Sequence, residues 1–339
     1  MIDKTDSYPK ISIITPSFNQ GEFIEDTIIS VISQNYPNLE YIIIDGGSTD
    51  NTIEIIKKYE EKINYWRSQP DRGQSHAINK GIKVATGEII NWLNSDDLLT
   101  ENALFEIAKA FHQHTDSLMV SANGWNLEQN GEKGLVGRPV DKDELNYLIS
   151  SPFCQPACYF RKSVLQEIGL LDENFNITMD RDLYVRIALN GHIKEIEYPV
   201  AIFRIHKDQK TFYFHEEWHQ DRLKVFSRLI RTFPTAAAKY TASLQKAGLY
   251  HQEDARYTTN KTWSTTKINK IIAGYLINLA HINYTSKRFQ QTRIITNWVK
   301  KNLPVFFTPL AHQLNRRSLV FRIPFTYSII KIIQKFITA

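Results

Sequence analysis

Between residues 11 and 93 short apolar runs alternate with stretches of helical period, and an open α/β sheet is the architecture that accepts such a pattern. Residues 11–15 read as a first strand. A helix follows over 23–34, because Ile24, Ile28, Val31 and Ile32 recur at helical spacing and Tyr36-Pro37 stops it. The continuous apolar run of 39–45 suits a strand covered on both faces. A Gly-rich turn, 46–50, then leads into a helix over 51–59, and strands at 63–67 and 88–93 flank a helix at 75–84. The expected sheet is mostly parallel and doubly wound.

Residues 117–138 are richer in Asn and Gly, which predicts shorter, partly antiparallel strands. Another short strand fits 157–160. Helices are expected from 163 to Gly169 and over 180–190, the latter stopped by Gly191, and 198–205 reads as the closing strand. After Phe214 the alternation ends, and the remainder is helix-like, basic and apolar. The expected division is an α/β domain over 1–215 and a helical extension over 216–339.

The 339 residues, 42% of them hydrophobic, suffice for a full core and an appendage. Residues 1–6 lack an apolar signal region, and no stretch reaches the roughly 18 charge-free apolar residues that a span requires. A cytoplasmic protein is therefore expected, with Cys154 and Cys158 as reduced packing residues. The net charge of +5 is unevenly spread: no acidic residue follows Asp254, whereas Lys and Arg recur to the end. Such asymmetry calls for an anionic partner. No nucleic-acid recognition motif is present. Apolar clusters at 271–277, 305–307, 319–321 and 329–333 alternate with the bases, which predicts helices lying on the inner face of a membrane, or else a packed helical subdomain.

Chemistry concentrates where strands end. Asp96 and Asp97 follow the apolar run Ile89-Ile-Asn-Trp-Leu93, and ligands bind at the carboxyl ends of strands in open sheets. Paired carboxylates there suit Mg²⁺ or Mn²⁺. The alternative is an Asx turn or a helix cap. Asp45-Gly-Gly-Ser-Thr-Asp50 could hold a nucleotide or simply turn the chain, and it is neither a dinucleotide fingerprint nor a P-loop. Asp180 opens a helix as either an N-cap or a reactive carboxylate, and Asp182 with Arg186 forms a structural i, i+4 pair.

Several of these segments, in order, resemble a known family. Ile11-Ser-Ile-Ile-Thr-Pro-Ser-Phe-Asn19, Ser33-Gln-Asn-Tyr-Pro37, Tyr41-Ile-Ile-Ile-Asp-Gly-Gly-Ser-Thr-Asp-Asn-Thr52 and Asn94-Ser-Asp-Asp97 are similar to the family 2 glycosyltransferases of the GT-A fold. Gln69-Pro-Asp-Arg-Gly-Gln-Ser-His-Ala-Ile-Asn-Lys-Gly81 and Ala85-Thr-Gly-Glu88 resemble its bacterial O-antigen and exopolysaccharide branch. The resemblance implies donor contacts from Thr15, Pro16, Asn19, Asp45, Asp71, Gly73 and Asp96, with Asp97 as the direct metal ligand. Where many relatives carry a second Asp, this chain has Gly46. Met179-Asp-Arg-Asp-Leu-Tyr-Val-Arg186 resembles the segment whose first Asp is the general base, here Asp180. Phe153-Cys-Gln-Pro156 implies acceptor contact by Gln155. Phe203-Arg-Ile-His-Lys-Asp-Gln-Lys-Thr211 implies that His206 meets the metal or diphosphate and that Lys210 neutralises the diphosphate.

Taken together, these readings predict an inverting, Mg²⁺- or Mn²⁺-dependent transferase. It would move a sugar from a nucleotide-diphosphate donor, a UDP-sugar first of all, to a hydroxyl of a glycan or lipid-linked glycan in cell-surface polysaccharide synthesis. The competing classes are a nucleotidyltransferase, whose Gly-rich, Arg-containing loop is missing after the first strand, and a non-catalytic nucleotide- or glycan-binding module, which needs no Asp97 together with Asp180.

Overall fold

A computed structural model describes residues 8–136, 144–150, 152–175, 177–207, 209 and 215–320. In chain order its elements are β1 (Ile11–Ser17), α1 (Ile24–Ile32), β2 (Leu39–Asp45), α2 (Thr52–Lys58), β3 (Tyr65–Ser68), α3 (Gln74–Val84), β4 (Ile89–Trp92), β5 (Leu98–Leu99), α4 (Ala103–Gln113), β6 (Ser117–Leu127), β7 (Lys133–Val136), α5 (Leu145–Ile149), β8 (Cys158–Arg161), α6 (Val164–Ile168), α7 (Met179–Asn190) and β9 (His192–Arg204). The helices α8 (His215–Thr232), α9 (Pro234–Lys246), α10 (Thr265–Thr285), α11 (Phe289–Asn302) and α12 (Pro309–Val320) follow. Two compact units result: residues up to 222 without 145–150, and 145–150 with 223 onward.

In the first unit the strands form one sheet in the order β3-β2-β1-β4-β8-β6-β9-β5, with β7 on β6. The half expected to be parallel is so: β3, β2, β1 and β4 all run the same way. Helices cover both faces, which is why Ile42, Ile43 and Ile44 in succession are all buried. The register aligns Ser17 with Asp45 and Asp45 with Ser68, so three strands end in one row at the same edge. Beyond β4 the sheet is mixed. β8 is antiparallel to β4, β6 is antiparallel to β8, and β9 is parallel to β6. The described part of 117–138 holds a longer strand than its composition predicts, because β6 finds ladder partners on both sides. It therefore continues through Asn123-Gly124 with register shifts, and the Asn123 amide bonds Glu197 O at 2.9 Å.

One buried carboxylate ties β1, β2 and the turn before β4 together. Glu40 accepts from Ser12 Oγ at 2.6 Å, from the Thr86 N–H at 2.7 Å and from Thr86 Oγ1 at 2.6 Å, and it pairs with Lys10 at 3.1 Å. Burial alone would raise its pKa, but these donors outweigh it and bring the carboxyl down to about 2. Glu40→Gln is expected to cost on the order of 1.5–3 kcal/mol at neutral pH, the range for a hydrogen bond to a charged group. A depressed folded pKa gives stability that is present above the unfolded value of about 4.3 and is lost as pH falls toward the folded one. Denaturant melts should therefore show the gap between wild type and variant closing as pH falls from about 5 toward 2. A gap that stays constant over that window would show that the ionised form is not what matters.

The second unit has its own core around α10, whose Ile271, Ile272 and Leu276 are fully buried. Phe226 packs on Tyr275 with ring centroids 5.0 Å apart, and Tyr240 meets Trp298 edge-on at 5.6 Å. The cluster at 271–277, expected to enter lipid, is instead core: its apolar residues recur on a helix surrounded by α5, α11 and α12. The cluster at 329–333 and Phe321 lie outside the described residues. Among those described, no helix is long and apolar enough to cross a membrane.

Candidate active site

The carboxyl ends of the parallel strands open onto a cleft of about 550 Å³ in the first unit. Of the residues singled out in the sequence, Pro16, Asp71, Gly73, Asp96, Gln155 and Asp180 line it. The order of the two adjacent aspartates is not the expected one. Asp97 is fully buried: its carboxylate turns inward, where the Arg204 N–H and the Asn94 amide donate to it, each at 3.3 Å. Burial, then the neighbouring Asp96 charge, hold its pKa well above the ordinary aspartate range. The carboxylate that reaches the cleft is Asp96, with His206 Nε2 3.1 Å from its Oδ2.

The loop carrying both is clamped by residues far away in sequence. Thr27 Oγ1 on α1 donates to Ser95 O at 2.9 Å and to Asp97 O at 2.8 Å. Arg204, which sequence reasoning left without a role, donates from Nε to Asp96 O and from Nη2 to Phe23 O at 3.0 Å, and pairs through Nη1 with Asp26 at 3.0 Å. Phe23 lies under the Arg204 guanidinium and is stacked on the His206 ring with centroids 4.4 Å apart. The 7% exposed imidazole is thus oriented toward Asp96. Lys210 lies outside the described residues.

Three expected donor contacts face elsewhere. Thr15 Oγ1 is in the core, 3.2 Å from Tyr41 Oη, because alternate β1 side chains point away from the cleft. The Asn19 side chain accepts from the Thr49 N–H at 2.9 Å and ties two strand-end loops together. Asp45 Oδ2 accepts from the Gly47 and Ser48 N–H groups, both at 2.9 Å, and from Ser68 Oγ at 2.7 Å, while Oδ1 takes the Ser48 hydroxyl at 2.5 Å. It therefore builds the turn whose Gly46 lines the cleft. A Cβ on Gly46 would stand 3.0 Å from an Asp71 carboxylate oxygen and 3.3 Å from the Phe18 ring, so glycine leaves a slot between them. Phe18 itself is 60% exposed at the rim. It was missed because an aromatic in a turn carries no periodic signal.

At the opposite wall Asp180 is the second residue of α7, not its cap, and is half-buried. Its Oδ1 accepts from the Arg181 N–H at 2.7 Å. Burial raises its pKa, against the pull of that N–H and of the Arg222 and Arg181 charges. The helix is held by the expected pair, with Arg186 Nη2 2.7 Å from Asp182, and the same guanidinium donates to Ile168 O and Gly169 O at the end of α6. Gln155 lines the cleft, but its amide is already engaged: Nε2 donates to Trp92 O at 2.8 Å, and Oε1 accepts from Asn94 at 3.0 Å. Gln74, also unforeseen, donates to Asn94 Oδ1 at 2.8 Å and continues this polar chain.

Residues 12–169 match the family model described as Glycosyl transferase family 2. An uncharacterized glycosyltransferase of Mycobacterium tuberculosis is 32% identical over 187 residues, which cover 54% of this chain and 70% of the relative. The putative teichuronic acid biosynthesis glycosyltransferase TuaG of Bacillus subtilis is 41% identical over 137 residues, 40% of this chain and 52% of that protein. Among solved structures, S. aureus TarS in complex with UDP-GlcNAc superimposes with a TM-score of 0.62 at 17% identity, covering 91% of this chain and 88% of that one. A mannosyltransferase from Pyrobaculum calidifontis in complex with GDP-Man and Mn²⁺ gives 0.51 at 17% identity, with 91% and 87% covered. The shared fold is GT-A with a C-terminal helical region. With this agreement in sequence and fold, the chain belongs to the family 2 glycosyltransferases.

Proposed function

We propose that the cleft transfers a sugar, with inversion, from a nucleotide-diphosphate donor to a hydroxyl of a glycan or lipid-linked glycan, and that the donor is a UDP-sugar. The observation that carries this reading is the placement of Asp96 and Asp180 on one cavity. Asp96 sits at the strand ends beside His206, and Asp180 sits at the mouth of a helix with its pKa raised by burial. A carboxylate so placed can take the proton of an attacking hydroxyl. The nucleotide end falls to Pro16, Gly46, Asp71 and Gly73, which frame the slot under Phe18. Asp45 and Asn19 shape that slot from behind.

The Asp96 carboxylate suits a hard divalent cation, and His206 beside it would orient that carboxylate or complete the shell. Among the described residues no group of three or more acidic, His or Cys side chains is placed to hold a metal ion, and Mg²⁺ commonly takes one or two carboxylates and completes its shell with phosphates and water. Bound there, Mg²⁺ or Mn²⁺ would stabilise the charge that develops on the leaving diphosphate. The buried Asp97 keeps Asn94 and the Arg204 backbone in place, so that Asp96 is the carboxylate presented. UDP-GlcNAc bound to TarS and the teichuronic acid role in the name of TuaG support a UDP-sugar and a cell-surface polysaccharide.

Incubation of the purified chain with a panel of nucleotide sugars and candidate glycans, with release of nucleoside diphosphate as the readout, tests this directly. Turnover with a UDP-sugar that EDTA stops and Mn²⁺ or Mg²⁺ restores is expected. Turnover unaffected by EDTA would remove the cation from the mechanism, and release from a different nucleotide alone would overturn the donor assignment.

A further inference from the structure

The second unit carries a surface for which sugar transfer in the cleft has no use. Between α11 and α12 the chain makes a 3₁₀ turn, Pro304–Phe306, closed by the Phe306 N–H on Leu303 O at 3.0 Å and the Phe307 N–H on Pro304 O at 3.1 Å. The turn is pinned on both sides: Leu303 is 4% exposed before it, and Ala311 and Leu314 are buried after it. Between these anchors Val305 is 88% exposed, the most of any large apolar residue described, and Leu310 is 43% exposed. A single exposed valine means little. A turn anchored at both ends that holds one outward, with a second exposed apolar residue five positions on, is a different matter, because that apolar area gains by leaving water.

The charges flanking the turn along the chain are of one sign. Lys300 and Lys301 end α11, immediately before the turn, and both are exposed. On α12, Arg317 follows Leu310 by seven residues, two helical turns, and so shares its face, and exposed Arg316 adjoins it. No Asp or Glu occurs anywhere after Asp254.

We propose that this tip docks on an anionic lipid bilayer, with Val305 and Leu310 entering the headgroup region and Lys300, Lys301, Arg316 and Arg317 facing lipid phosphates. Such an occupant uses both halves of the surface: the bases find anions, and the apolar tip leaves water. A second copy of the chain would set like charges against each other. The proposal is independent of the donor and of the cation in the cleft.

The test is flotation of the full chain with vesicles of phosphatidylcholine and of phosphatidylcholine mixed with phosphatidylglycerol, at low and high salt. Binding to the anionic vesicles alone, weakened by salt, is expected. Lys300→Gln and Lys301→Gln should each weaken it by about fivefold. Val305→Asp should weaken it by about tenfold or more. Thermal melts unchanged from wild type show that these exposed substitutions leave the fold intact. Equal binding to both vesicles, binding to neither, or anionic binding that ignores Val305→Asp overturns the proposal. So does a concentration-dependent dimer that Val305→Asp dissolves in a chain that does not float.

Discussion

Replacing Asp180 with Asn is expected to lower turnover by about 10²- to 10⁴-fold while donor binding persists, since a positioned proton acceptor contributes that much and an amide of the same shape cannot accept a proton at neutral pH. The variant keeps the Oδ1 that accepts the Arg181 N–H, so α7 has no reason to move. Burial raises the Asp180 pKa, and the acid limb of the wild-type rate profile should lie above the ordinary aspartate value of about 3.9, with activity falling as pH drops through it. That limb should vanish in the variant. Stability runs in the opposite sense. A carboxyl whose folded pKa is raised contributes stability that is fully present below the unfolded value and is lost as pH rises through the folded one. At neutral pH the Asn variant should therefore melt no lower than wild type. Steady-state kinetics and melting curves on one preparation decide the matter, and a wild-type rate in the variant would place the base elsewhere.

How much of this was legible before the fold depended on whether the signal was local. The continuous run of β2 and the helical spacing of α1 report burial directly, so the parallel half of the sheet and its ligand-binding edge could be read off. Asp180 was placed near a helix start by the same local logic. Which of two adjacent aspartates faces the cleft is not local. It is set by Arg204, which reaches the loop from 107 residues further on, and by Thr27, which holds it from α1. Neither leaves a mark at positions 96 and 97. Likewise the engagement of Gln155, expected at the acceptor, was not legible because its partners, Trp92 O and Asn94, lie more than 60 residues earlier. Residues 145–150 belong with the second unit through packing on α10, around Gly274 and Ile149, and no composition change announces it.

The opposite facing of the paired aspartates leads to the second large effect. Asp96→Ala should cut transfer by about 10²- to 10³-fold, the loss typical when one group that stabilises developing charge is removed. It should also weaken donor binding in the presence of Mn²⁺, because the carboxylate beside His206 is the one that lines the cleft. The fold should hold, since that side chain is partly exposed and its removal empties no core. Asp97→Asn is the contrast. Its carboxylate is buried between an N–H and an amide, and Asn preserves the shape and one acceptor, so transfer should fall by about tenfold at most. Asp97→Ala should act on stability, costing roughly 1–3 kcal/mol, because the Arg204 N–H and the Asn94 amide would lose the buried acceptor they share. Donor titrations with and without Mn²⁺, beside denaturant melts, separate the two residues. An Asp97→Asn chain that folds normally but neither binds donor with Mn²⁺ nor turns over, next to an active Asp96→Ala, would restore Asp97 as the residue that meets the cation and require the loop to turn over when donor binds.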